Sequence, residues 1–115
     1  MKNDQMLALI TALKRTAIER QRSLWKRVAQ DLEKPSRQRR VVNLWRVDQY
    51  AKEGEIIIVP GKLLGDGALT KKVTVAAAWY SEEARRKVAA IGGAAITIDE
   101  LLKKHPDGKG IRILG

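Results

Sequence analysis

The chain has no cysteine, no phenylalanine, one histidine and three prolines in 115 residues. Without cysteine there are no disulfides, no thiolate zinc sites and no thiol nucleophiles, which fits a reducing cytosol. The single imidazole, His105, sits between Lys104 and Pro106. There a protonated ring favours a helix C-terminus, and one histidine without cysteine needs several carboxylates to hold zinc. Long apolar runs are missing too. Met6–Leu13 is far too short to cross a bilayer; Lys14 and Arg15 interrupt it, and no A-x-A-like cleavage site follows. Aromatics are few: Trp25, Trp45, Trp79, Tyr50 and Tyr80. Acidic residues are scarce as well, 13 Asp and Glu against 23 Lys and Arg, for a net charge of +10. Such an excess repels itself unless a polyanion offsets it, so nucleic acid is the leading partner class and an anionic membrane surface its rival. The excess is lopsided. Residues 1–46 hold 12 basic and 4 acidic side chains, residues 47–115 hold 11 and 9.

An apolar content of 44% in a chain of this length suits one domain, or one compact domain with an extension. Met6, Leu9, Ile10, Leu13 and Ala17 recur at helical spacing, with Asn3 or Asp4 as caps. After the polar break Arg20-Gln21-Arg22, a second stripe of Trp25, Val28, Ala29 and Leu32 predicts a helix from about Ser23, antiparallel to the first and stopped by Pro35. Lys34–Arg40, "KPSRQRR", carries no apolar residue except the proline and is expected as a solvated or partner-bound connector. Leu44, Val47 and Ala51 predict a short helix ending near Gly54. From Glu55 the character changes. Ile56–Val59, Val73–Trp79 and Ala94–Ile96 read as buried strands, with a helix between the last two capped by Ser81. The fourteen residues 80–93 suffice for a parallel crossover. Thr97 and Glu100 have capping-box spacing ahead of "DELLKKH", and "DGKGIRILG" reads as a turn and a small strand. The fold class is therefore α/β, a small core of short strands and helices over residues 55–115, behind a basic helical N-terminal arm and connector over residues 1–54.

"IIIVPGKLLGDGALTKKVTVAA", Ile56–Ala77, holds Gly61, Gly65 and Gly67 beside Lys62, Lys71 and Lys72, and is the one segment resembling a phosphate cradle. It fails both tests. Counted from Gly61, a Walker loop needs glycine at 66 and lysine at 67, where Asp66 and Gly67 stand. The dinucleotide pattern needs glycine where Thr70 stands, and a strand follows where each motif needs a helix N-terminus. Glu82, Glu83, Asp99 and Glu100 fall in first helical turns, and Ser23, Ser36 and Ser81 have no base nearby in sequence. No nucleophile–base–orienter set assembles, so no enzyme activity, cofactor, metal or small-molecule substrate is expected.

The basic features remain. Arg37, Arg39 and Arg40 form a fork-bearing cluster suited to phosphate, against the alternative of a solvated linker. Lys62, Lys71 and Lys72 flank a glycine-relaxed loop that either meets phosphate or is simply a turn. Arg22, Arg46, Lys109 and Arg112 complete the cationic candidates. Trp25 and Trp79 are expected in the core, while Trp45, beside Arg46, is exposed or half-buried and could stack on a base or ribose. Paired aromatics on a central strand are absent, so backbone and shape recognition is expected over base reading.

"EGEIIIVPGKLLGDG", "KVTVAA", "SEEARRK", "TIDELLKKHPDGKGIRILG" and, upstream, "KPSRQRRVVNL" together resemble the large-subunit ribosomal protein eighteen-e family of archaea and eukaryotes, related to bacterial large-subunit ribosomal protein fifteen. The resemblance covers nearly the whole chain. It implies a cytoplasmic structural component of the large ribosomal subunit, bound to large-subunit ribosomal RNA beside neighbouring large-subunit ribosomal proteins, with an irregular ββα superhelix as its fold. The family's arginine-rich segment falls on Arg37, Arg39 and Arg40, with Asn43 just beyond, and its "PGK" loop falls on Pro60, Gly61 and Lys62. Trp45, Val47 and Asp48 depart from the family pattern. A free-standing DNA- or RNA-packaging protein and a small nucleotide-dependent enzyme are the alternatives.

Overall fold

The computed structural model describes residues 3–115, apart from the side chain of Ser36. Helices α1 (Asn3–Arg20) and α2 (Ser23–Glu33) follow the two apolar stripes. Met6, Leu9, Ile10 and Leu13 of the first, and Trp25, Val28, Ala29 and Leu32 of the second, are buried. Asn3 and Asp4 lie inside α1 and so do not cap it as expected. Lys34 ends α2 in an extended conformation (φ −63°, ψ 149°), the one a following proline imposes.

Strands β1 (Arg40–Asn43), β2 (Ile56–Leu64), β3 (Thr74–Tyr80), β4 (Ala94–Thr97) and β5 (Ile111–Ile113) form one all-parallel sheet. Its order is β1-β2-β3-β4, with β5 also beside β2. β5 pairs with Ile56–Ile58 and β1 with Gly61–Leu64, and both strands lie on the β2 edge opposite β3. They therefore run end to end along one side of β2, parted at Val59 and Pro60. Proline, which cannot donate to a ladder, sits in that gap and at the register shift between Val59 and Lys62.

Helix α3 (Leu44–Tyr50) and α4 (Glu82–Ala90) cover one face, and α1, α2 and α5 (Ile98–Lys104) the other. Strand alternation divides the core accordingly. Ile57, Val59, Val75 and Ala77 join the α3–α4 cluster, whereas Ile58 and Ala76 join Leu13, Trp25, Ile98 and Leu101. The caps read from sequence for α4 and α5 are present. The Ser81 hydroxyl accepts from the Ala84 N–H, and Thr97 with Glu100 forms a reciprocal capping box. Contacts cross residue 54 freely, since β1 pairs with β2 and α1–α2 share a cluster with Ile58 and Ala76.

The arginine-rich connector, expected as solvated or partner-bound, carries a 3-10 turn over Ser36–Gln38 that leads into β1, and Arg37, Gln38 and Arg40 are exposed. Only Val42 of β1 is buried, so no apolar run marks the strand. One expectation is corrected: the "PGK" segment is not a loop, because β2 runs on through Pro60, Gly61 and Lys62 to Leu64. Among the described residues no helix is long and apolar enough to cross a membrane.

Candidate nucleic-acid interface

Parallel pairing places Val41 of β1 beside Lys62 of β2, and Lys62 beside Trp79 of β3. These three side chains form a row near the C-terminal ends of the strands, where open α/β sheets commonly bind their ligands. Arg39 enters the row from the connector. Its guanidinium carbon lies over the Trp79 ring, 5.0 Å from the centroid, and its Nε donates to the Lys34 carbonyl at 3.1 Å. Arg39, Arg40, Val41, Lys62 and Trp79 together line a shallow concavity of about 200 Å³. Among the described residues no carboxylate pairs with any of these three cations. Val41 is 57% exposed, an apolar floor beside the charges.

The remaining candidates are scattered. Arg37 is exposed in the 3-10 turn just before this cluster. Asn43 precedes α3 as its cap residue, though its side chain makes no capping bond. Arg46 lies over the Tyr50 ring at 5.9 Å. Arg22 links α1 to α2 and is half-buried. Lys72, Lys109 and Arg112 belong to the opposite end of the sheet: Arg112 pairs with Ile57 in register, five residues from Lys62 and so roughly 17 Å away.

Two further candidate cations, Lys71 and Arg112, are held by the protein itself. Lys71 Nζ donates to the carbonyls of Asp48 and Ala51 at 2.5 and 2.8 Å, closing the C-terminal turn of α3. Beside it the Thr70 backbone N–H and hydroxyl both donate to Asp48 Oδ1, and the backbone bond foremost holds that carboxyl below its ordinary pKa. Arg112 Nε lies 3.0 and 3.1 Å from the two Glu55 oxygens, and this bond is the main cause of the lowered Glu55 pKa.

Trp25 is fully buried, as expected, with its Nε1 donating to the Pro106 carbonyl at 2.8 Å. Trp45 is 50% exposed. Trp79, expected in the core, is instead half-buried and carries Arg39 on its ring. The sequence held one usable signal for this: Trp79 lies at the C-terminal end of the apolar run, where burial gives way to solvent. Arg85, over the Tyr80 ring at 5.1 Å, was not among the candidates; nothing in the spacing of the sequence links it to that ring.

The fold and the surface define a small basic α/β protein with unpaired cations gathered at the ends of parallel strands. Residues 2–115 match the family described as ribosomal protein 60S L18 and 50S L18e. The chain is 46% identical to the large ribosomal subunit protein eL18 of Pyrobaculum aerophilum, covering 97% of this chain and 92% of that protein. It is 44% identical to the eL18 of Methanoregula boonei (97% and 93% covered) and 41% to that of Archaeoglobus fulgidus (97% and 96%). The chain belongs to this family of ribosomal proteins, whose members are structural components and not enzymes.

Proposed function

We propose that the protein is a structural constituent of the large ribosomal subunit in the cytoplasm, binding large-subunit ribosomal RNA mainly through phosphate backbone and shape, with neighbouring large-subunit ribosomal proteins adjoining it. The observation that carries this reading is the concavity lined by Arg39, Arg40 and Lys62, three cations without a carboxylate partner among the described residues. Family membership places the same chain among large-subunit proteins. Arg37 extends the phosphate-binding face along the connector, and Arg22, Asn43, Arg46, Lys72 and Lys109 supply outlying contacts. Lys71 and Arg112 we assign chiefly to the fold.

Binding to transcribed large-subunit ribosomal RNA, followed across salt, tests the reading. With 6–10 phosphate contacts the affinity is expected to fall roughly 10³–10⁵-fold between 50 and 200 mM salt. Replacing Arg37, Arg39 and Arg40 by Ala should weaken binding and flatten the salt slope by about one per lost phosphate contact. An affinity indifferent to salt, or duplex DNA competing as well as ribosomal RNA, would reject the reading.

A further inference from the structure

We propose that Trp79 positions Arg39 as a fixed fork for a single backbone phosphate, with Lys62 beside it, so that this site grips the sugar–phosphate chain and does not stack a base. The inference rests on the ribosomal RNA reading above and says how that contact is made.

Three observations converge on Arg39. Its guanidinium lies over the Trp79 ring, and its Nε–H is committed to the Lys34 carbonyl. A guanidinium carries five N–H donors, so with Nε engaged the four terminal hydrogens remain, and no acceptor among the described residues takes them. Those terminal nitrogens are the edge that meets a phosphate bidentately. Glu33, which borders the neighbouring concavity together with Arg39, is held by Lys14 at 3.0 Å and does not neutralise the fork.

Trp79 explains why the fork is fixed. Its indole packs against the α1–α2–α5 cluster, and Arg39 covers its ring. A base arriving from solvent therefore finds no open indole face here, which separates this tryptophan from the stacking platforms of single-strand binders. A stacked, hydrogen-bonded arginine also has little side-chain freedom left to lose when it closes on a phosphate. Lys62 stands between Val41 and Trp79 in the same row and lines the same concavity as Arg39, so it adds charge beside the fork.

The full chain should be titrated with two probes, transcribed large-subunit ribosomal RNA and inorganic polyphosphate, which has no bases. Trp79→Leu is expected to weaken both about fivefold, and Trp79→Phe to recover most of that loss, since either ring can carry a cation. Arg39→Lys should cost about tenfold because it keeps the charge and loses the fork. In an Arg39→Ala background, Trp79→Leu should cost nothing further. An equal Trp79→Leu loss in that background would make the indole merely structural and overturn the proposal. So would an Arg39→Ala effect confined to RNA, which would mean that the arginine meets a base. Arg39→Lys, a surface change, keeps the test alive should Trp79→Leu fold poorly. If the unaltered protein binds polyphosphate with these sensitivities but ignores ribosomal RNA, the ribosomal reading fails while the fork stands; failure to bind either probe rejects both.

Discussion

At Gly61 a single added carbon would lie 2.0 Å from the Arg40 carbonyl oxygen and 2.8 Å from its carbon. Both are backbone atoms, so neither can swing aside. The glycine is there because β1 approaches β2 at this point, and Arg40 is its partner in register. Gly61→Ala should destabilise the fold by about 1–3 kcal/mol, the usual cost of overpacking. It should weaken RNA binding as well, since moving β1 moves Arg39 and Arg40. Lys62→Ala, one residue on, should weaken RNA binding with almost no change in melting temperature; equal melting losses for the two variants would contradict this account. The sequence points to a glycine that something must approach closely, but not to what approaches. A glycine relaxing a loop and a glycine admitting a neighbouring strand look alike in one dimension. Lys71 was illegible for a related reason: its charge counts as free until the carbonyls of Asp48 and Ala51, twenty and more residues earlier, are brought to it.

Among the elements, those that announce themselves have local causes. Thr97 and Glu100 satisfy each other's backbone within one turn, and the α1 and α2 stripes repeat at 3.6 residues, so both were readable. β1 has no such signature; it is a strand only because β2 supplies its partner. The α1–α2 junction lies between these extremes. Gln21 adopts φ 54°, the Arg22 N–H reaches the Ala17 carbonyl at 3.0 Å, and the Gln21 N–H reaches the Ile18 carbonyl at 3.3 Å. This is the Schellman ending, with glutamine where glycine usually sits. A β-carbon in the left-handed region costs roughly 1–2 kcal/mol, and glycine relieves it at some entropic expense in the unfolded chain. Gln21→Gly should therefore stabilise the protein by up to about 1 kcal/mol, seen as a higher denaturant midpoint at unchanged slope. A lower midpoint would show that the exposed glutamine side chain contributes something the backbone geometry does not reveal.

For the whole molecule, one quantity acts on stability and function with opposite signs. The net charge of +10 works against compaction of the free chain, and surface pairs such as Lys14–Glu33 at 3.0 Å and Lys103–Asp99 at 3.1 Å offset little of it, each contributing about 0–1 kcal/mol. Salt screens repulsion and attraction alike. Raising potassium chloride from about 20 to about 300 mM, where the screening length falls from roughly 20 to 6 Å, should raise the melting temperature of the free protein. With ribosomal RNA present the change should reverse: binding stabilises by RT ln(1 + [L]/Kd), and Kd rises steeply with salt. The two melting curves should therefore converge as salt increases. If salt instead lowered the melting temperature of the free protein, attractive pairs such as Arg112–Glu55 would outweigh the global repulsion. The surplus of lysine and arginine would then be balanced within the fold, and the need for a polyanion, first suggested by the composition, would lose its physical basis.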